Sequence, residues 1–330
     1  MARPYRIFGS EMSPYSVKVR SYFRYKRIAH VWLPRGAANE EEFRRFARLP
    51  LVPTVATPGD EGLQDSTPIM EAMEALHPEP SVHPSDPRLK FLSELIEELG
   101  DEWGNKLMFH HRWFAEVDQL ASAQTLARLS APDADDDQVA GRARAIRERM
   151  VGRVHFVGSS EANAPAISRY YRELIDLLQS HLGARPFLFG ARPAFADFGL
   201  GGQIYECSVD PTCGSVIRAR GPAVLDWAHR MMDPRLDGPF DDWGDLAPTL
   251  APILAYAGRY FLPWSQANAR ALEAGLPEFT VELPGGAYSQ APQKYHARSL
   301  AALKAKYAAA ERAPGLEEIV AGTGCLAYLR

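Results

Sequence analysis

The residues whose types and spacing suit chemistry are Ser13-Pro14-Tyr15-Ser16, which follow the polar turn Gly9-Ser10-Glu11-Met12. A serine followed by proline has the pattern of a helix start. The Ser13 oxygen can accept a hydrogen bond from an N–H of the first turn, and proline suits the first helical position because that N–H would go unpaired anyway. A helix start gathers N–H donors and partial positive charge at one point, which favours a bound anion. The anion expected here is a thiolate. A free thiol has a pKa of about 8.5, and a hydroxyl donating to the thiolate beside a helix N-terminus lowers it. Serine can donate this bond but cannot form a mixed disulfide, so Ser13 points to stabilisation of a thiolate rather than disulfide exchange. The plainer alternative is a serine that only caps its helix.

Such a turn needs a strand to deliver it and a helix to receive it. Tyr5-Arg6-Ile7-Phe8 is a short apolar run, the segment to Arg27 is amphipathic, and His30-Val31-Trp32-Leu33 reads as a second strand. The opening is therefore β-α-β with parallel strands. Asn39 to Arg48 reads as a short charged helix, and Leu49 to Ala56 as a third apolar run interrupted by Pro53. Proline lacks the ladder N–H, so it belongs at a strand start or an edge. Leu63-Gln64 is a brief fourth strand, and Asp65-Ser66-Thr67 a second polar cap before a helix over Ile69 to Leu76. The order is β-α-β-α-β-β-α.

These segments resemble the thioredoxin-like N-terminal domain of the cytosolic glutathione transferases. Ser13-Pro14-Tyr15-Ser16 is similar to the glutaredoxin Cys-Pro-Tyr-Cys motif with both cysteines replaced, Leu51-Val52-Pro53-Thr54-Val55 to the family's V-P-T-L segment with its cis proline, and Asp65-Ser66-Thr67-Pro68-Ile69 to its acidic-Ser-x-x-Ile signature. The resemblance implies a Ser-type, bacterial-like member in which Ser13 serves the glutathione thiolate. It implies Tyr15 and Pro53 at the glutathione site, backbone hydrogen bonds from Val52 to the cysteinyl unit, and contacts from Asp65 and Ser66 to the γ-glutamyl end. A cation for the glycyl carboxylate is expected among Arg35, Arg44, Arg45 and Arg48, with no choice between them. Phe187 to Leu200 resembles the family's F-L-x-G-x-x-P-(Ser/Thr)-x-A-D-F segment, keeping Asp197 but placing Ala194 where a capping Ser or Thr is usual. Loss of a cap costs about 0.5–2 kcal/mol, so another group or water is expected to compensate.

Beyond the proline-dense stretch from His77 to Pro87 the pattern is helical. A long helix is expected from Arg88 towards Asp118, carrying Trp103, Lys106, Met108, Phe109, His110, His111, Trp113 and Phe114. Large apolar side chains in such a stripe usually belong to a core. Its place relative to the thiol nonetheless makes Trp103, Met108, His110 and Trp113 candidates for an electrophile pocket. The acidic stretch Ala131 to Asp137 is expected to cap a basic helix over Val139 to Arg149. Gly199-Leu200-Gly201-Gly202 is expected to serve close helix packing, because no strand precedes it. From about residue 234 the chain exceeds a typical transferase core; Asp245 to Ala274 and Gln293 to Arg312 read as added helices joined by the turn-rich Leu283 to Tyr288.

Composition bounds the rest. At 330 residues, with 46% hydrophobic and 24% charged residues, the chain suits two globular domains. A net charge of −4 gives no support for nucleic acid as a partner. No run of apolar residues is long enough for a membrane span, and Met1 to Tyr5 lead into the first strand without a secretory signal. Cys207, Cys213 and Cys325 form no C-x-x-C pair and read as reduced thiols of a cytoplasmic protein, with a Cys207–Cys213 disulfide as the lesser alternative. No metal site is expected, since the adjacent His110 and His111 point about 100° apart on a helix.

The expected architecture is an α/β thioredoxin-like domain over 1–80, a linker over 81–87, and an all-α helical bundle over 88–330 with an extension after about 234. The expected activity is attack of glutathione, as co-substrate, on a small hydrophobic electrophile, by a protein that the resemblance implies is a homodimer. The alternatives are a glutathione-dependent β-etherase of aryl ethers, whose motif also contains Ser-Pro-Tyr, and a non-catalytic transferase-like binding protein. A disulfide reductase is disfavoured because no cysteine lies near Ser13.

Overall fold

The strand and helix order read from the first module is the order the chain adopts. The structure, a computed structural model, describes residues 3–235 and 237–330; the expectation for Met1 and Ala2 lies outside the described residues. β1 (Tyr5–Gly9), α1 (Pro14–Tyr25), β2 (His30–Pro34), α2 (Glu40–Phe46), β3 (Thr54–Ala56), β4 (Gly62–Gln64) and α3 (Ser66–Leu76) follow one another. The sheet order is β2-β1-β3-β4, with β2 parallel to β1 and the pairings of β3 antiparallel. On one face Val19, Tyr22 and Phe23 of α1 and Ile69, Met70 and Met73 of α3 pack with Ile7 and Val55. On the other, Phe43 and Phe46 of α2 cover Phe8 and Ala56.

The third strand is shorter than expected and begins only at Thr54. Leu49 to Pro53 stays out of the sheet, as prolines at 50 and 53 withhold ladder donors. The Gln64 side chain substitutes for the ladder: its Oε1 accepts from the Arg48 and Leu49 N–H groups at 3.1 and 3.0 Å, and its Nε2 donates to the Leu49 and Leu51 carbonyls at 2.8 and 2.9 Å.

Residues 77–86 carry no regular element. The long helix expected next comes in pieces: α4 (Pro87–Glu98), a π-helical turn over Leu99–Gly104, α5 (Asn105–Phe114) and α6 (Glu116–Ser130). α7 (Asp136–Val151) starts where the acidic stretch was expected to cap it, with Asp135 Oδ1 accepting from the Gln138 N–H at 2.8 Å. Then come α8 (Ala164–Leu182), α9 (Phe195–Val209), α10 (Pro211–Arg220) and α11 (Pro222–Arg230).

Buried on nearly all sides, α9 is the helix against which α1, α4 and the π-turn pack. Its glycines permit this. A Cβ on Gly199 would lie 2.8 Å from Glu97 Cγ, and one on Gly202 2.6 Å from the Pro14 carbonyl oxygen. The missing cap at Ala194 is made good from elsewhere: Ser93 Oγ accepts from the Ala196 N–H at 3.0 Å and the Val82 carbonyl from the Phe195 N–H at 2.9 Å. Asp197 completes its part, accepting from the Ala194 N–H, the Leu188 N–H and Trp227 Nε1, each at 2.8 Å.

The extension is helical, with one addition. α12 (Trp243–Tyr256), a π-turn over Ala257–Phe261 and α13 (Leu262–Glu273) precede a two-stranded hairpin, β5 (Phe279–Leu283) and β6 (Gly286–Gln290), which the sequence reading took for a turn-rich joint. Pro284 and Gly285 make its tight turn, with Gly285 at a φ of 101°. α14 (Lys294–Ala310), α15 (Leu316–Gly322) and α16 (Leu326–Leu329) close the chain. Among the described residues no helix is long and apolar enough to cross a membrane.

Candidate functional site

Three separate segments meet at one end of the sheet because of its register. Phe8 near the end of β1 pairs with Thr54 at the start of β3, and Thr54 also pairs with Gln64 at the end of β4. The turn leading to Ser13, the Val52–Pro53 bond and the Asp65–Ser66 pair therefore leave the sheet from the same edge. The Val52–Pro53 bond is cis.

Ser13 is the N-cap of α1, its Oγ accepting from the Ser16 N–H at 3.3 Å. Among the described residues no acceptor takes the Ser13 hydroxyl proton, and no group pairs the Tyr15 N–H in the first turn or the Val52 backbone N–H and C=O. These open donors and acceptors are what the strand ends and helix start present to a ligand. Asp65 adjoins them with φ at 81°, a backbone region that side chains rarely occupy and that persists where the surroundings over-determine it, often at ligand sites. Desolvation raises the Asp65 carboxyl pKa, with Lys18 pulling it back.

Other expected groups are engaged within the protein. The Tyr15 hydroxyl donates to the Asp101 carbonyl oxygen at 2.8 Å, and burial keeps it protonated far above the usual tyrosine range, with Tyr295 and Asp101 adding to the effect. Ser66 is buried and its Oγ lies 3.3 Å from both Lys18 Nζ and Asp101 Oδ2. Ser16 is buried as well. Of the arginines, Arg35 pairs with Glu40 at 3.0 Å and Arg44 with the same carboxylate at 2.9 Å. Arg45 and Arg48 make no ion pair among the described residues.

Beneath the site lies a charge cluster that sequence reading missed. Lys18 Nζ, wholly buried, donates to Glu97 Oε1 at 2.5 Å, Asp101 Oδ2 at 2.6 Å and Thr67 Oγ1 at 2.9 Å. Burial opposes the Lys18 charge, but Asp101 and Glu97 outweigh it and raise its pKa. Desolvation likewise pushes the Asp101 carboxyl up, against the pull of Lys18. The cluster joins α1, the start of α3 and the end of α4, so it ties the two parts of the chain together at the site. A lysine on the buried side of an amphipathic helix is the signal that could have revealed it.

The four residues expected to line an electrophile pocket are placed in the core instead. Trp103 is enclosed by Tyr170 and by Trp264, Tyr260 and Tyr288, with ring centroids 5.6 to 6.4 Å away, and its Nε1 donates to the Tyr256 hydroxyl at 2.9 Å. Met108 and Trp113 are buried. His110 stacks on Phe114 at 4.6 Å and bonds Ser159 Oγ at 2.7 Å; burial lowers its pKa to about 3, so the ring is neutral. For Trp103 the reason is the extension: all but one of the rings around it come from beyond residue 234. An opening of about 260 Å³ lies beside the turn instead, between Met12, Ala121, Thr125, Leu129, Tyr205 and Val209.

The three cysteines are buried free thiols. Among the described residues no group of His, Cys, Asp and Glu is arranged to hold a metal.

A thioredoxin-like module followed by a helical domain, with open backbone groups gathered at the sheet edge, is the class of protein that fold and site define. Residues 7–81 match the family described as glutathione S-transferase, N-terminal domain. Over that module the chain is similar to the glutathione S-transferases. Among curated proteins none matches. The chain is similar in structure to a glutathione S-transferase of Methylobacterium radiotolerans solved with glutathione sulfonate, at 20% identity over 75% of this chain and 95% of that one, with a TM-score of 0.40. It is also similar to a Tau class enzyme of mango, Mangifera indica, at 16% identity over 75% and 97% with a TM-score of 0.43. A glutathione S-transferase of Rhodospirillum rubrum gives 18% identity over 76% and 91% with a TM-score of 0.42.

Proposed function

We propose that the protein is a glutathione transferase in which Ser13 stabilises the thiolate of bound glutathione for attack on a small hydrophobic electrophile. The observation that carries this reading is the convergence of the open Ser13 hydroxyl, the Tyr15 N–H and the Val52 backbone groups at one edge of a module whose family binds that tripeptide. Val52 pairs with the cysteinyl unit in this reading, Asp65 with the γ-glutamyl ammonium, and Arg45 or Arg48 with the glycyl carboxylate. The electrophile enters by the opening beside Met12, where Ala121, Leu129 and Val209 supply apolar wall. Proximity of the two reactants then provides much of the acceleration.

The test combines calorimetry of glutathione binding with an aryl-halide conjugation assay. A hydrogen bond to a charged group is worth roughly 1.5–3 kcal/mol, so Ser13→Ala is expected to lower the conjugation rate about 10- to 100-fold while glutathione still binds. A loss below about twofold would remove Ser13 from the mechanism. The homodimer implied by the resemblance is checked by sedimentation of the same preparation.

A second reading, binding without turnover, is favoured by one observation: the Tyr15 and Ser66 hydroxyls are already engaged inside the protein and the expected aromatic pocket is filled. Glutathione affinity with no conjugation of aryl halides or aryl ethers would select it.

A further inference from the structure

Arg112 on α5 is buried, and nothing in the reading above uses it. Four hydrogen bonds hold its guanidinium. Nε donates to Asp210 Oδ2 at 2.8 Å, Nη2 to Glu206 Oε2 at 2.7 Å and to the Glu206 carbonyl at 3.1 Å, and Nη1 to the Met12 carbonyl at 2.9 Å. Asp210 also accepts from Ser122 Oγ at 3.2 Å. An ion pair that served only to join α5 to the end of α9 would need the two carboxylates. It would have no need of Met12.

Met12 immediately precedes Ser13, and the peptide between them is held on both sides. Its C=O accepts from Arg112, and its N–H, that of Ser13, donates to the Ser10 carbonyl at 3.2 Å. A planar peptide pinned at both its carbonyl and its amide fixes the Ser13 N–Cα bond, and the Ser13 carbonyl, which accepts from the Ser16 and Val17 N–H groups at 3.0 Å, holds the next peptide, so the direction of the Ser13 Cα–Cβ bond is set between the helical domain and the first turn of α1. Burying three charges to achieve this is not the cheapest way to stabilise a core, since apolar residues of like volume often do as well. What the arrangement adds is a fork of directed bonds ending on one chosen carbonyl.

We propose that Arg112 is a positioning residue, which orients the Met12–Ser13 peptide so that the Ser13 hydroxyl faces the thiol. The catalytic part of the proposal rests on the reading of Ser13 given above; the ordering of the turn does not.

R112M alone leaves Glu206 and Asp210 buried without a counter-charge, a change that can unfold the chain by itself. The decisive variant is therefore the charge-balanced R112M/E206Q/D210N, beside R112K, which keeps the charge but lacks the fork. Circular dichroism verifies folding, amide hydrogen exchange reads the turn over residues 10–16, and the ultraviolet absorbance of the bound glutathione thiolate is followed against pH together with kcat and KM. In the folded triple variant the turn amides are expected to exchange about tenfold faster or more, the thiol to titrate at higher pH, and kcat to fall about 10- to 100-fold with KM for glutathione little changed, since a displacement near 1 Å has consequences of that size. R112K is expected to keep the fold and recover only part of kcat. A folded triple variant with wild-type exchange over the turn overturns the proposal. Faster exchange with an unchanged thiolate titration and kcat overturns its catalytic part. If the wild type binds no glutathione, the reading of Ser13 fails, and the exchange comparison still decides whether Arg112 orders the turn.

Discussion

Two serines at helix starts meet opposite fates in this chain. Among the described residues none claims the Ser13 hydroxyl proton, whereas the Ser66 hydroxyl is buried between Lys18 and Asp101. Ser13 was legible as a cap, because capping is decided by a residue and its next few neighbours; the polar cap expected at Asp65-Ser66-Thr67 makes no side-chain capping bond, and Ser66 is the first residue of α3. The partners of Ser66 were not legible, because they come from α1 and the π-turn after α4, distant in the chain. His110 shows the same limit. Read as a pocket residue, it is a neutral core group bonded to Ser159. Burial depresses its pKa to about 3 from an unfolded value near 6.5. The folded state thus binds fewer protons than the unfolded state below pH 6.5, so this contribution to stability is present above that value and is lost as pH falls towards the folded pKa. Between pH 7 and 5 the wild type is expected to lose about 2 kcal/mol that His110→Gln does not lose. Denaturant unfolding of both proteins at the two pH values checks this, and parallel losses would show the ring is not held neutral.

At the scale of elements, helix lengths and packing follow glycine. The run Gly199 to Gly202 was read as a close-packing surface, and it is one: the backbone of α9 meets Glu97 and the carbonyl of Pro14. Gly202→Ala would set a methyl 2.6 Å from that carbonyl, at the first residue of the helix that Ser13 caps. Overpacking of this kind costs typically about 1–3 kcal/mol. The variant is expected to melt lower and to lose turnover as α1 shifts, a pair of effects read together by calorimetry and the conjugation assay. Gly141 is the contrast, mid-helix in α7 with nothing within 4 Å of an added Cβ. Gly141→Ala is expected to stabilise the protein by about 0.5–1 kcal/mol through helix propensity and a less flexible unfolded chain. A destabilised variant would mean that α7 packs more tightly than this structure shows. The break of the long helix into α4, a π-turn and α5 had no local signal. The apolar periodicity runs on, and the widened turn lies where Gly100 meets the backbone of Leu200 on α9.

Over the whole molecule, the two parts of the chain are joined by charge as well as by apolar packing. Lys18 reaches from the first module to Glu97 and Asp101 of the second, and Lys306 of α14 returns to Glu71 of α3 at 2.9 Å. α14 also packs along α4, where the Phe91 and Tyr307 rings lie 5.3 Å apart. The surface pair contributes little in water, while breaking the buried one strands two carboxylates. Lys18→Met is accordingly expected to cost roughly 3–5 kcal/mol, and the charge-balanced Lys18→Met/Glu97→Gln/Asp101→Asn to recover most of it. Urea unfolding of the three proteins is the measurement; a cost below about 1 kcal/mol for the single variant would show that the cluster is relaxed by water.

By itself the sequence determined the order of the first module, the helix start at Ser13 and the packing role of the α9 glycines. Each of these depends on residues close in the chain or on a backbone that cannot carry a side chain. Tertiary structure alone decided that the Trp103 to Trp113 stripe is core, that Ser93 replaces the cap missing at Ala194, that Arg112 grips the carbonyl before Ser13, and that Lys18 sits between two carboxylates. In each of these cases a side chain's role is set by partners tens to hundreds of residues away. Periodicity marks a face as apolar or polar; it does not say which distant element will cover it.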